Sequence, residues 1–290
     1  MPITRFAPSP TGRLHLGHAY SAWYARMRAE GGRFLLRIED IDRERNRAEY
    51  VEGIFEDLRW LGLDWEGEVW FQSEREEAYA AALEQLRELD VLYPCFCTRK
   101  EIQEEVARMG NAPHGPDGAL YPGTCRSLGL KEASDRANSG EPHVWRLNLA
   151  ATMARTGPVS YVEKGVRTDS HPERFGDVVL ARRDLGSAYH LCVVVDDAAQ
   201  GVELVTRGED LREATGVHRV LQLLLGLPEP AYDHHGLVVD EDGKRLAKRA
   251  DSVSIRTLRE RGMSAAEVLE WARACVAESP TLLPGEGVGG

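Results

Sequence analysis

At the start of the chain the apolar pattern changes period twice. Residues 3 to 6, Ile3-Thr4-Arg5-Phe6, read as a short strand. Ala19, Ala22, Trp23 and Met27 then recur at helical spacing and predict a helix from about Gly17 with those four residues on its buried face. Gly31-Gly32 ends it, and Arg33-Phe34-Leu35-Leu36-Arg37-Ile38 predicts the next strand; Pro8 and Pro10 stiffen the loop between. Strand, loop, helix and strand in that order make the unit from which parallel sheets are built. Further on, Ser73 with Glu76 reads as a capping box opening a helix that ends near Asp90, and Thr98 with Glu101 repeats the signal. From about 107 to 142 the pattern is lost to Gly, Pro, Asn and Asp, which predicts an irregular insertion. Strand-like runs return at Val144 to Leu149, Asp177 to Ala181 and Leu191 to Val195. Asp210 with Glu213 predicts a helix closing at Gly226-Leu227-Pro228, and the Gly- and Pro-rich tail from Ser279 reads as frayed.

The 290 residues suffice for a sizeable core, as one domain carrying an insertion or as two packed domains. The sequence has neither an apolar run of roughly 18 residues nor a hydrophobic signal region after Met1, so a cytoplasmic protein is expected. The net charge of -11 excludes indiscriminate coating of nucleic acid, which depends on phosphate contacts from Lys and Arg. It leaves room for a local basic stretch, and residues 244–262 carry seven Lys or Arg against Asp251 and Glu260. Five cysteines include a close group, Cys95, Cys97 and Cys125; in a reducing compartment such a group binds metal or has no special role.

Candidate chemistry begins at His15-Leu16-Gly17-His18. Two imidazoles flanking a glycine at the mouth of a helix combine backbone N–H groups, close approach and side-chain donors, a cradle suited to a polyphosphate. Taken alone, the four residues are better explained as ordinary surface or capping histidines. The longer string Arg5-Phe6-Ala7-Pro8-Ser9-Pro10-Thr11-Gly12-Arg13-Leu14-His15-Leu16-Gly17-His18 resembles the glutamyl-tRNA synthetase signature of the class I aminoacyl-tRNA synthetases almost residue for residue. Lys244-Arg245-Leu246-Ala247-Lys248-Arg249 resembles the second signature of that class, the KMSKS loop, with Lys248 retained and Arg245 and Ala247 departing from the pattern. The resemblance implies adenylate formation from ATP and an amino acid, with His15, Gly17, His18 and Lys248 on the phosphates, His15, His18 and Lys248 as the catalytic groups, and Mg²⁺ accompanying ATP.

Glutamate carries an extra carboxylate, so its pocket needs cationic groups and an acceptor for the ammonium. The resemblance puts Arg5, Ser9, Glu39, Tyr189 and Arg207 in that pocket, with Glu39 on the amino group, Arg207 on the side-chain carboxylate and Tyr189 in support. Their plain alternatives are a surface ion-pair partner for Glu39, a core-edge aromatic for Tyr189 and a partner for an acid for Arg207.

Cys95-Phe96-Cys97 with Tyr121-Pro122-Gly123-Thr124-Cys125 offers three thiolates and one oxygen, compatible with tetrahedral Zn²⁺. The Tyr-x3-Cys spacing resembles the shorter paralogous family, the glutamyl-queuosine tRNA(Asp) synthetases, in which the tyrosine is a ligand; His114 is the rival fourth ligand. About forty residues follow Arg249, too few for an anticodon-binding domain, which favours the same family. The implied fold is α/β. It comprises a class I synthetase Rossmann-like nucleotide-binding core (1–92 and 188–232), an inserted zinc-containing subdomain (93–187) and a small helical C-terminal region with the KMSKS-like loop (233–290). The implied activity is ATP-dependent activation of L-glutamate, with or without tRNA bound, and its transfer to the queuosine base at the wobble position of tRNA(Asp) by a monomer. Two alternatives stay open: a truncated glutamyl-tRNA synthetase charging tRNA(Glu), and a non-catalytic synthetase-like RNA-binding protein.

Overall fold

The computed structural model describes residues 1–108, 114–115, 118–182, 186–239 and 253–276, with 114, 115, 118, 119 and 130 given by backbone alone. The N-terminal part runs β1 (Thr4–Phe6), α1 (Leu16–Arg28), β2 (Phe34–Ile38), α2 (Ala48–Trp60), β3 (Trp70–Phe71) and α3 (Glu76–Glu88). A middle part follows: β4 (Leu92–Cys95), α4 (Arg99–Arg108), β5 (His114–Gly115), β6 (Gly118–Ala119), α5 (Leu130–Asn138), β7 (Val144–Leu147), α6 (Leu149–Thr156), β8 (Ser160–Glu163), β9 (Val166–Asp169), β10 (Val179–Arg182) and β11 (Gly186–Ser187). The chain then forms α7 (Tyr189–Ala199), β12 (Leu204–Gly208), α8 (Thr215–Leu225), β13 (Ala231–His235), α9 (Ile255–Glu260) and α10 (Ala265–Ala274).

Strands β1, β2 and β3 pair in parallel, as do β12 and β13. The two groups meet where the Ile3 carbonyl accepts from the Glu203 and Leu204 amides at 3.0 and 3.2 Å. Strand order is therefore β3-β2-β1-β12-β13, with β8 beside β13 and β9 beside β8. The chain leaves β1 toward one edge and β12 toward the other, so the crevice beyond their carboxyl ends is the switch point at which open α/β sheets take ligands. Phe34, Leu36 and Ile38 are fully buried in the cluster beneath α1, α9 and α10. Side chains of that size contribute about 1.5–3 kcal/mol each relative to exposure. A separate antiparallel sheet, β11-β10-β7-β4, belongs to the middle part. No helix of the described residues is long and apolar enough to cross a membrane.

The expected β1-α1-β2 unit forms, although Met27 is 56% exposed while Leu16, Tyr20 and Ala25 join the buried face of α1. Leu191 to Val195 is helical, within α7, where an expected strand does not form. Because α7 is buried on several sides, with Cys192, Val194 and Asp197 all inside, no polar stripe reveals its helical period. The run from Val144 stops as a strand at Leu147, and Leu149 opens α6 capped by Asn148. Ser73 does not cap α3; its amide and hydroxyl both donate to Asp40, at 2.8 and 2.6 Å. Asp210 and Glu213 precede α8 without capping it, since the helix opens at Thr215 and Glu213 pairs with Arg174. Thr98 and Glu101 do form a reciprocal capping pair. The stretch expected to be irregular contains α5, and the tail from Ser279 lies outside the described residues.

Candidate active site

A cavity of about 680 Å³ opens at the switch point, lined by Arg5, Ser9, His15, Gly17, His18, Glu39, Tyr189 and Arg207. Every candidate for glutamate or ATP outside the KMSKS-like loop is thus brought to one place. Lys248, Arg245 and Ala247 lie outside the described residues. Of the residues flanking that segment, Val238 lines the cavity and Ser254 forms a β-bridge with His15.

His15 is the N-cap of α1, and its Nδ1 accepts from the Gly17 amide at 3.1 Å. His18 reaches back, its Nδ1 accepting from the His15 amide at 3.3 Å. Both are capping histidines and both line the cavity, so capping does not withdraw them from it. With Nδ1 accepting, a neutral imidazole carries its proton on Nε2 and is a donor there. Glycine at 17 gives this fold-back room: a Cβ there would stand 3.1 Å from His15 Cε1, a tight approach that the imidazole would have to yield to. Helix N-terminal N–H groups and two imidazole donors make this end of the cavity fit for phosphate.

Behind Arg5 and Glu39, which line the cavity, lies an ion-pair network that the sequence did not announce. Arg5, on β1, donates through Nε and Nη2 to the Asp197 carboxylate at 2.9 and 3.3 Å and through Nη1 to the Thr206 carbonyl at 3.0 Å. Arg37, fully buried on β2, donates to Asp197 Oδ1 and Gln200 Oε1, both at 2.8 Å, and approaches Glu39 Oε1 at 3.4 Å. Burial pushes the Asp197 carboxyl up, but the Arg5 and Arg37 guanidinium groups outweigh it and hold it below the usual carboxylate range. Neighbouring Asp196 accepts from Gln72, Arg75 and Tyr79. Burial raises Glu39 and Tyr189 above their ordinary values, against the pull of nearby arginines.

Arg207, on β12, is 6% exposed and has a different set of partners. Its Nε donates to His234 Nε2 at 3.1 Å, Nη1 to His218 Nδ1 at 3.0 Å and Nη2 to the Thr215 hydroxyl at 2.7 Å. Five N–H groups minus these three leaves two, one on each terminal nitrogen, which is the fork that a carboxylate accepts end-on.

Away from this cavity, the Cys95, Cys97 and Cys125 sulfurs lie within 4.8 Å of one another, at the end of β4 and in the turn Thr124–Ser127. The Tyr121 hydroxyl is 3.5 Å from Cys97 Sγ and accepts from the Cys125 amide at 2.9 Å. The side chain of His114 lies outside the described residues.

Residues 3–275 match the family described as tRNA synthetases class I (E and Q), catalytic domain. A protein named Glutamyl-Q tRNA(Asp) synthetase from Rhodobacter capsulatus is 50% identical over 272 residues, covering 92% of this chain and 98% of its own. The chain belongs to the glutamyl-Q tRNA(Asp) synthetase family of class I. It is therefore an ATP-dependent ligase with an α/β class I core. Glutamate--tRNA ligase from Aquifex aeolicus is 40% identical over 89% of this chain but only 54% of its own length. The crystal structure of Glutamate-tRNA Synthetase from Elizabethkingia anophelis superposes with a TM-score of 0.73 at 28% identity, covering 90% of this chain and 54% of that one. The chain thus spans about half the length of those two proteins.

Sequence reasoning missed Asp197, Thr215, His218, His234 and His235. His234-His235 at the carboxyl end of a parallel strand was the available signal, since ligands gather at such ends. His235 lines the cavity, and its buried Nε2 has no hydrogen-bond partner among the described residues.

Proposed function

We propose that the chain activates L-glutamate with ATP and transfers it to the queuosine base at the wobble position of tRNA(Asp). The carrying observation is that one cavity holds both a buried arginine with an unoccupied carboxylate fork, Arg207, and the paired histidines at the α1 N-terminus. Arg207 takes the side-chain carboxylate of glutamate, Glu39 its ammonium, and Ser9 and Tyr189 complete the pocket. Arg5 contributes positive potential and shape, because most of its donors are spent on Asp197 and Thr206. His15, Gly17 and His18 hold the ATP phosphates, Lys248 joins them, and Mg²⁺ enters with ATP.

In the first step a glutamate α-carboxylate oxygen attacks the α-phosphorus and the bond to the bridging β-phosphate oxygen breaks, releasing pyrophosphate. His15 and His18 oppose the charge that builds on the phosphates. In the second step a hydroxyl of the queuosine cyclopentenediol attacks the acyl carbon; AMP leaves with the bonding pair and the hydroxyl proton is lost. The vicinal diol resembles the ribose 2′,3′-diol of a tRNA end, so one acyl-transfer site suits either. Identity of 50% along 98% of the Rhodobacter capsulatus protein, against 40% along 54% of the Aquifex aeolicus one, supports the queuosine acceptor.

The three thiols fit a zinc ion: tetrahedral Zn–S bonds of about 2.3 Å put sulfurs about 3.8 Å apart, and Cys97 and Cys125 are 3.5 Å apart here. Cys95, Cys97, Cys125 and Tyr121 would hold it as a closed structural set that braces residues 93–187 as an insertion between the core halves 1–92 and 188–232. The ion would tie the end of β4 to the turn Thr124–Ser127. Metal analysis of the purified protein should find one zinc per chain, lost in Cys97→Ser. The cytoplasm is the expected compartment and a monomer the expected state.

Charging with radiolabelled glutamate tests the main reading. Label should enter queuosine-containing tRNA(Asp), and nuclease digestion should recover it on an anticodon-loop fragment and not on the 3′-terminal adenosine. Equal labelling of queuosine-free tRNA(Asp), or preference for tRNA(Glu), would overturn the acceptor assignment.

A further inference from the structure

Four arginines are buried among the described residues: Arg5, Arg37, Arg207 and Arg219. Three of them pair with a carboxylate, Arg5 and Arg37 with Asp197 and Arg219 with Glu229. Arg207 alone has only neutral partners. The surrounding acids are kept from it. Glu163 accepts from His234 twice, from Nδ1 at 2.7 Å and from the backbone amide at 3.0 Å, and lies 3.6 Å from Arg212. This fixes the tautomer of His234: Nδ1 bears the proton and Nε2 faces Arg207 as an acceptor. On the other side His218 Nδ1 accepts from Arg207, and its Nε2–H donates to His190 Nδ1 at 3.1 Å. Asp197 is held by Arg5 and Arg37, and Glu39, which lines the same cavity, lies 3.4 Å from Arg37.

We propose that His218, with His234 and Thr215, forms a neutral acceptor shell that makes Arg207 select a side-chain carboxylate over the isosteric amide, glutamate over glutamine. The proposal rests on the assignment of Arg207 to the glutamate side chain. A carboxylate in the shell would spend the guanidinium's charge before substrate arrived, and the two remaining N–H groups would then serve an amide oxygen nearly as well. Neutral acceptors orient the fork and leave its full charge to a ligand, and an unpaired charge on a side chain as buried as Arg207 is costly. Burial first, and then the Arg207 charge, press His218 well below its ordinary range and His190 to about 4, so both stay neutral near neutral pH. His218 is a positioning residue and touches no reacting atom.

The test is ATP/pyrophosphate exchange with glutamate and with glutamine as the amino acid, using the full chain and its His218→Asn and His218→Asp variants. Asn places a neutral oxygen near the position of Nδ1, and Asp differs from Asn in charge alone. His218→Asp should raise the KM for glutamate at least about tenfold, with kcat changed less than about threefold, and lower the glutamate-to-glutamine ratio of kcat/KM at least about tenfold. His218→Asn should keep that ratio within about threefold of the parent. An Asp variant with unchanged KM and ratio, or an Asn variant that loses discrimination as fully as Asp, would overturn the proposal. Thermal melting checks that each variant folds; if His218→Asp does not, Thr215→Asp brings the same charge from the other terminal nitrogen. Absence of glutamate-dependent exchange in the parent would remove the functional reading itself, whereas normal parental exchange with indifferent variants would remove only this inference.

Discussion

Two arginine sites sit side by side in this sheet and are built in opposite ways. Arg5 and Arg37, on β1 and β2, converge on one carboxylate, Asp197, and their charge is largely settled within the fold. Arg207, on the adjacent strand β12, is buried to the same degree as Arg5 but surrounded by two imidazoles and a hydroxyl. Burial of a charge is tolerable when it is paired and costly when it is not. The first site therefore meets that requirement within the fold; the second, on the proposed reading, meets it when the substrate carboxylate arrives. Depth, residue type and strand position are nearly the same, and only the partners differ.

The largest expected effect is on the paired site. Asp197→Ala leaves Arg5 and Arg37 without their shared counter-ion and should cost about 3–5 kcal/mol of stability, read from urea denaturation. A loss under about 1 kcal/mol would show that solvent already supports those arginines, and the contrast would fail.

Arg207→Gln should have the reverse profile. Glutamate-dependent exchange should fall about a hundredfold or more, since a partner of a charge-assisted, desolvated contact is removed, while the melting temperature stays level or rises because an uncompensated buried cation is gone. A clear loss of stability would mean that Arg207 is held for the fold and not for a ligand.

The smallest effect is a difference in pH windows. His234 is depressed to about 4, chiefly by burial and against the pull of Glu163, and His218 lies well below its ordinary value. Such groups are neutral when folded and take up protons first in the unfolded chain, near the usual histidine value of about 6.5. The stability they contribute is complete above about pH 6.5 and is lost as pH falls toward about 4. Asp197, depressed below 3.8, contributes stability above that value and loses it only as pH falls through its lower folded value. Stability measured from pH 7 to 4.5 should therefore decline less steeply in His218→Asn than in the parent. An unchanged slope would remove His218 from the neutral shell.

Much of the framework was legible because local rules and tertiary context agreed. Glycines and a clean change of period mark β1, α1 and β2, and Thr98 with Glu101 caps α4 as its spacing implies. Local rules failed where a distant partner overrode them. Ser73 has the spacing of a cap, but Asp40 takes its amide and hydroxyl; Leu191 to Val195 has the look of a strand, yet it lies in a helix enclosed on several sides. The candidate pocket was legible through its motifs, in Arg5, Ser9, His15, Gly17, His18, Glu39, Tyr189 and Arg207. The residues that decide what those groups can do were not, because Asp197, His218 and His234 acquire their meaning from contacts that spacing along the chain does not encode.

By itself the sequence determined the family, the alternation of strands and helices, and the chemical types available to the cavity, all of which follow from local order. Tertiary structure alone decided how charge is distributed among them. It placed Asp197 against Arg5, 192 residues away, and kept acids away from Arg207 by putting His234 between it and Glu163. The strength of a buried charge depends on what surrounds it in space, and those surroundings exist only once the strands have come together.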